Sequence, residues 1–302
     1  MKKRKQKKNS KSVKGNNGTL LFKVIMSVLF LSGLFTFSYP FLSDAINDFH
    51  DQITIEKYQK QYSSLTQYQK KQRKKEMEAK NEELLKNNKL TNIPGMGLVK
   101  DPFEDTTKDV QDPGKEYFKT HMIGAIFIPK IKVSLPIFDK TNDALLDKGI
   151  TVLQGTSFPI GGKGTHSVLT GHTGLPEKKL FTDLDKLKKG DLFYINISGN
   201  KLAYKINHFK TVLPNKLDDL KIVDGIDQVT LVTCTPYMVN THRLLVTGIR
   251  VPYREKTLEK EVKATQNYHK YRIIIFIFFI FLILLIIIYM IWRTVHKYLK
   301  KS

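Results

Sequence analysis

A single cysteine in 302 residues excludes an internal disulfide framework. The lone thiol, Cys234, is therefore either a small buried hydrophobe or a group kept for its chemistry. Acidic residues are scarce, 28 against 50 lysines and arginines, and the formal charge is +22. The basic residues do not interleave with aromatics along a groove; they gather in a head, a Lys-rich helical stretch and a tail. That distribution argues against nucleic acid and for a lipid bilayer with anionic headgroups, or an anionic cell wall. Glycine and proline are missing from 44–90, which removes the usual chain breakers and leaves one or two helices. Charge is missing from 273–292, and a core helix of a soluble domain is not apolar all round for about 20 residues.

Residues 1–23 form a basic head, followed by an apolar run at 24–42 whose far end is weakened by Ser38 and Pro40. About 19 residues suffice to cross a hydrocarbon core of about 30 Å. The same run also fits a secretory signal, although no A-x-A site follows it, so anchor and signal both stay open. The 273–292 run is flanked by His269, Lys270 and Arg272 before it and by Arg293, His296 and Lys297 after it. With the head inside the cell, two spans return the basic tail 293–302 to the same side and leave everything between them outside. The expected localisation is the cell membrane, with both termini cytoplasmic and the central domain extracellular.

Within 43–92, Phe49, Ile53, Tyr58, Tyr62 and Leu65 recur at helix-face spacing, which predicts a helical stalk. The segment 93–118 collects Pro, Gly and Asp and reads as a long loop. From 119 to 254 come MIGAIFIP, KVSLPIF, SVLTG, DLFYINI, KLAYKINHF, QVTLVTC and RLLVTGIR, seven or so short strands parted by turn residues. Many alternate side-chain character with period two, which predicts an all-β barrel or sandwich rather than a parallel α/β sheet. A polar helical linker, 255–272, leads into the second span.

Cys234 closes the strand QVTLVTC, on the face it shares with Thr230 and Val232. The chain then turns and re-enters a strand at Arg243, so a hairpin brings the guanidinium back beside the thiol. His242 and Arg243 point to opposite faces; if Arg243 faces the cysteine, the partner base is His172, in TGHTGLP at another strand end. A thiolate that attacks an amide needs an imidazolium to protonate the departing amine and a fixed donor for the oxyanion, and arginine suits the last role because it never deprotonates. Taken alone, each has a plainer reading: a core cysteine, a hydrogen-bonded turn histidine, a surface arginine. No cluster of His, Cys, Asp or Glu has metal-ligand spacing, and no cofactor is implied.

The string TLVTCTPYMVNTHRLLVTGIR resembles the active-site signature of sortases, TLxTC followed about nine positions later by an essential arginine. VLTGHTGLP resembles their histidine motif, and IGAIFIPKIKVSLPIF with LLDKGITVLQGTSFPIGGKGTHSVLTGH resembles the intervening barrel. The resemblance spans 122–251 and implies a closed sortase β-barrel with short helices. It also implies catalytic roles for Cys234, His172 and Arg243, with Thr233 and Thr235 supporting the substrate site. The C-terminal span, and Asp101, Pro102 and Phe103 in the 93–118 loop, resemble the pilin-polymerising class C branch, where a DPF lid occupies the empty site. The implied substrates are proteins with LPxTG-type sorting signals, and the implied acceptor is a lysine amine of a second pilin. A housekeeping sortase that anchors proteins to a cell-wall precursor, or a catalytically silent pilus-assembly scaffold, are the alternatives. Thr173 and Met238 depart from common family residues without touching the trio.

Overall fold

The computed structural model describes residues 17–87, 113–216, 218–253 and 255–299. The chain forms two units, Met1–Phe41 and Leu42–Ser302. Helix α1, Asn17–Ser64, begins in the first unit and ends in the second. In the first unit Phe22, Phe30, Phe35 and Phe37 are largely exposed. The hydroxyls of Ser32 and Thr36 are satisfied by the helix's own carbonyls at Leu29 and Ser32, both at 2.9 Å, so the polar groups in the run are masked. Pro40, expected to weaken the far end of the run, lies inside α1, which continues to Ser64. Proline removes one hydrogen bond from a helix without ending it when neighbouring turns hold.

The second unit is built on a closed barrel. Its strands are β1 (Met122–Ile128), β2 (Val133–Phe138), β3 (Ile150–Val152), β4 (Thr165–Thr170), β5 (Leu192–Ile197), β6 (Asn200–Val212), β7 (Asp227–Thr235) and β8 (His242–Val251). They close in the order β1-β2-β3-β4-β7-β8-β6-β5. The strand beyond those the alternation predicted is β3, whose three residues are too few to show a period. Most neighbours are antiparallel, but β2–β3 and β4–β7 are parallel. Ile126, Leu169, Phe193, Tyr204, Leu231 and Val246 fill the interior. A second apolar cluster covers the outside of β1 and β5, where Ala125, Phe127 and Tyr194 pack with Ile55 of α1 and Val262. All seven residues of β1 are therefore buried, which is why MIGAIFI carries no polar alternation.

Four further helices complete the unit: α2 (Gln67–Asn87), α3 (Lys115–His121), α4 (Asp143–Leu146) and α5 (Glu255–Leu299). The stalk breaks between α1 and α2 without Gly or Pro. Thr66 and Gln69 form a reciprocal capping box there, Thr66 N–H donating to Gln69 Oε1 at 3.0 Å and Gln69 N–H to Thr66 Oγ1 at 3.2 Å. The linker and the second apolar run are one uninterrupted helix, α5. The stretches Ile25–Ser64 of α1 and Glu259–Met290 of α5 are long and apolar enough to cross a membrane.

The apolar stalk face predicted from Phe49, Ile53, Tyr58, Tyr62 and Leu65 is only part of what α1 buries. Ile55 and Tyr62 are buried, and so are Asp44, Asp51 and Gln52. Gln52 exchanges hydrogen bonds with Ser134, donating to its carbonyl at 3.1 Å and accepting from its hydroxyl at 2.8 Å. Asp48 takes His269 at 2.8 Å and Arg272 at 2.7 Å, both from α5. Asp44 accepts from Arg272 and from the Lys179 backbone at 3.0 Å. The seam between α1, α5 and the barrel is thus held by buried charge as much as by apolar surface.

Candidate active site

Three neighbouring strands carry the trio to one place. Strand β7 lies between β4, its parallel neighbour, and β8, its antiparallel neighbour. Cys234 sits directly opposite Arg243 in the β7–β8 register, so both side chains project from the same face. Thr170 pairs with Val232, and the ladder continues one step as Gly171 N–H donates to Val232 O at 3.1 Å. His172 is therefore two residues past its strand pair, as Cys234 is past Val232. The face is the outer one, above a small apolar cluster of Leu153, Val168, Val212, Leu220, Val232 and Leu245.

The histidine turn is fixed from several sides. Thr233 is buried and donates its hydroxyl to Gly171 O at 2.7 Å, pinning the residue before His172 to the strand that ends in Cys234. A Cβ on Gly171 would lie 2.6 Å from Ile150 Cδ1 and 2.9 Å from Phe181 Cδ2, so a side chain there would have to displace buried neighbours. Phe181 N–H donates to His172 O at 3.1 Å, and Gly174 N–H to Thr182 Oγ1 at 3.1 Å. Beyond the turn, Asn47 of α1 donates to Glu177 O at 2.8 Å. The buried ammonium of Lys178 meets Asp51 at 2.8 Å and Lys148 O at 2.6 Å.

Beside Lys148 stands Asp147, whose Oδ1 is 3.5 Å from His172 Nε2. Sequence reasoning passed over Asp147; the signal was an acid at the end of α4, in LLDKGI, one strand before the histidine motif.

Cys234 is partly exposed at the strand end, and burial of the rest of its surroundings pushes its thiol up from the ordinary value. Arg243 is buried, and burial pulls its guanidinium down from the ordinary value. Its Nη1 donates to Asn240 O and His242 O, both at 3.0 Å, so the fork is oriented by the hairpin it enters from. His242 instead pairs its Nδ1 with Thr241 Oγ1 at 2.9 Å. Thr235 stands opposite His242 at the half-buried end of β7.

His166, within β4, is fully buried between Lys221 O and Thr230 Oγ1, each at 2.8 Å, and burial holds its pKa down. It is a framework histidine, held on both ring nitrogens. Asp101, Pro102 and Phe103 lie outside the described residues.

Comparison with known proteins agrees with this geometry. Residues 126–251 match the sortase domain family. Sortase A of Bacillus anthracis is 30% identical over 138 residues, covering 46% of this chain and 64% of that protein. The crystal structure of sortase C-1 from Streptococcus pneumoniae is 41% identical, with a TM-score of 0.57 over 67% of this chain and 99% of that one. The structure of Clostridium perfringens sortase C with the C-terminal cell wall sorting motif is 40% identical, with a TM-score of 0.54 over 66% of this chain and 98% of that one. With a cysteine and an arginine paired across β7 and β8, a histidine at the end of the adjoining strand and these relatives over the whole barrel, the chain belongs to the sortase family of cysteine transpeptidases.

Proposed function

We propose that this sortase polymerises pilins: it cleaves an LPxTG-type sorting signal and transfers the acyl group to a lysine amine of the next subunit. The observation that carries the chemistry is the cross-strand Cys234–Arg243 pair, with His172 ending the parallel neighbour. His172 takes the thiol proton as Cys234 Sγ attacks the carbonyl of the signal's threonine. Arg243 donates to the oxyanion of the tetrahedral intermediate. The imidazolium then gives its proton to the departing glycine amine, and the acyl group remains as a thioester on Cys234. A lysine ε-amine attacks that thioester, its proton passes to His172, and an isopeptide bond forms as the cysteine leaves. Thr233 supports the site from behind by holding the residue before His172, and Thr235 stands at its edge opposite His242.

The class C relatives at 40–41% identity support the choice of a lysine acceptor. The same reading keeps Asp101, Pro102 and Phe103, outside the described residues, as the counterpart of the class C DPF motif. Both apolar helices cross the membrane, with the termini in the cytoplasm and the barrel outside.

The deciding experiment incubates the full chain with a sorting-signal peptide and either a lysine-bearing pilin or a cell-wall-type amine. Mass spectrometry should find a Cys234 thioester, absent in Cys234→Ala, and an isopeptide product with the pilin. Transfer only to the wall-type amine would make the protein a housekeeping enzyme, and no thioester at all would leave it a scaffold. Asp101→Ala with Phe103→Ala should speed thiol labelling of Cys234; an unchanged rate removes the lid. Protease added to wall-stripped cells should digest the barrel, and full protection would reverse the topology.

A further inference from the structure

The barrel end of α5 carries its own boundary marks. Tyr268 and Tyr271 stand at that end and Tyr289 and Trp292 at the other, each pair member roughly 21 residues from its counterpart, about 32 Å along a helix. A hydrocarbon core is about 30 Å thick, and tyrosine and tryptophan gather at its two interfaces. On the reading that α5 spans the bilayer, the headgroup layer therefore lies level with Tyr268 and Tyr271, both exposed.

At that level a cleft of about 330 Å³ opens between α5 and the turn joining β1 to β2. Its apolar wall is Ile131, Val133 and Leu180, and its polar lining holds five lysines and arginines against two carboxylates, Asp48 and Asp183. The carboxylates already have partners: Arg272 and His269 hold Asp48, and Lys186 meets Asp183 at 2.8 Å. That leaves Lys130, Lys132 and Lys179, all exposed, as the cations over the opening. The turn that carries two of them is anchored on α5: Lys132 O accepts from His269 Nε2 at 2.6 Å, and Lys132 Nζ lies 4.0 Å from the centre of the Tyr268 ring. A fixed cleft with surplus positive charge, an apolar wall and a mouth at the lipid interface matches a phosphate headgroup with its acyl chains directed along α5.

We infer that this cleft binds the phosphate headgroup of an anionic membrane phospholipid, with Lys130, Lys132 and Lys179 as its ligands. The inference rests on α5 spanning the bilayer. Bound lipid sets the height of the barrel over the membrane through the β1–β2 turn, independently of the catalytic trio.

The test places the full chain in nanodiscs of phosphatidylcholine with phosphatidylglycerol, extracts it, and counts retained lipids by native mass spectrometry. The wild type should retain phosphatidylglycerol in preference to phosphatidylcholine. Lys130→Gln, Lys132→Gln and Lys179→Gln together should lower that preference by about tenfold or more. Lys71→Gln, Lys74→Gln and Lys75→Gln, an equal charge change on exposed positions of α2, should leave it intact. Equal losses in the two triple variants, or none in either, overturn the site. Inorganic phosphate that displaces the lipid at equal concentration would make this a free-anion site and overturn the lipid assignment. A wild-type chain that does not enter the discs at all refutes the span itself, and the inference with it.

Discussion

The strands that carry the trio and the seam that docks α1 and α5 are built on opposite principles. Around β4, β7 and β8 the chain buries Val168, Leu169, Leu231, Val232, Leu245 and Val246 and keeps Cys234, Arg243 and His172 at or just past the strand ends. Along the seam it buries Asp44, Asp51, Gln52, Lys178 and His269. An apolar ladder is forgiving of single changes away from the site, whereas a buried ion pair tolerates loss of both partners better than loss of one. The contrast separates mutations that remove chemistry from those that remove structure.

The largest effect should come from the ladder's tip. Cys234→Ala is expected to lower transpeptidation by on the order of 10⁴ or more with an unchanged unfolding midpoint, and a matching loss of stability would move Cys234 from chemistry into the framework. Arg243→Lys should be nearly as damaging as Arg243→Ala, about 10²–10³ in kcat, because a point charge does not reproduce an oriented fork. Near-normal turnover in the lysine variant would show that charge alone suffices.

The seam should respond in the reverse manner. Lys178→Met leaves Asp51 buried without its cation and should cost about 3–5 kcal/mol, while Lys178→Met with Asp51→Leu should recover most of it. Denaturant unfolding of the full chain in detergent measures both. Burial pushes the Asp51 carboxyl up from 3.8 to about 6, against the pull of Lys178. A group raised on folding stabilises the native state most below its unfolded value and loses that contribution as pH rises through the folded one. Between pH 4 and 6, about the window of that shift, Asp51 should therefore favour folding more at the acid end, and Asp51→Asn should flatten this part of the stability profile. An unchanged slope would show that Lys178 compensates the desolvation fully.

These contrasts also mark what was legible in the sequence. The strands could be read because alternation reports burial on one face, and the hairpin from Cys234 to Arg243 because adjacent residues must point opposite ways. The α1 face was read too narrowly, since Asp44, Asp51 and Gln52 look like solvated positions until their partners on α5 and the barrel are known. The parallel register of β4 on β7 has no local signature at all. Neither Asp147 nor the buried Thr233 hydroxyl could be assigned a place before that register was known.

Two smaller tests refine the boundary. Thr233→Val keeps the shape but leaves Gly171 O without its buried donor, at a cost of about 1–3 kcal/mol, and should lower kcat as well, because His172 follows directly. A stability loss with normal kcat would detach this threonine from the site. Met238 has φ of 66° in the turn after Cys234. Relief of about 1 kcal/mol of left-handed strain in Met238→Gly is offset by the entropy glycine adds to the unfolded chain, so stability should stay within about 0.5 kcal/mol. A larger gain would show that the turn is more strained than its dihedral implies.

The parallel pairing of β4 with β7 has a consequence for how the enzyme matures. Gly171 and Thr233, which join the histidine turn to the cysteine strand, are 62 residues apart in the chain. Parallel strands need a long crossover, and such distant pairings close late because loop entropy is lost before the contact forms. A nascent chain in which β4 has not yet met β7 thus carries Cys234 and Arg243 on one hairpin with His172 still apart from them. On the proposed mechanism, reactivity would therefore await the completed barrel.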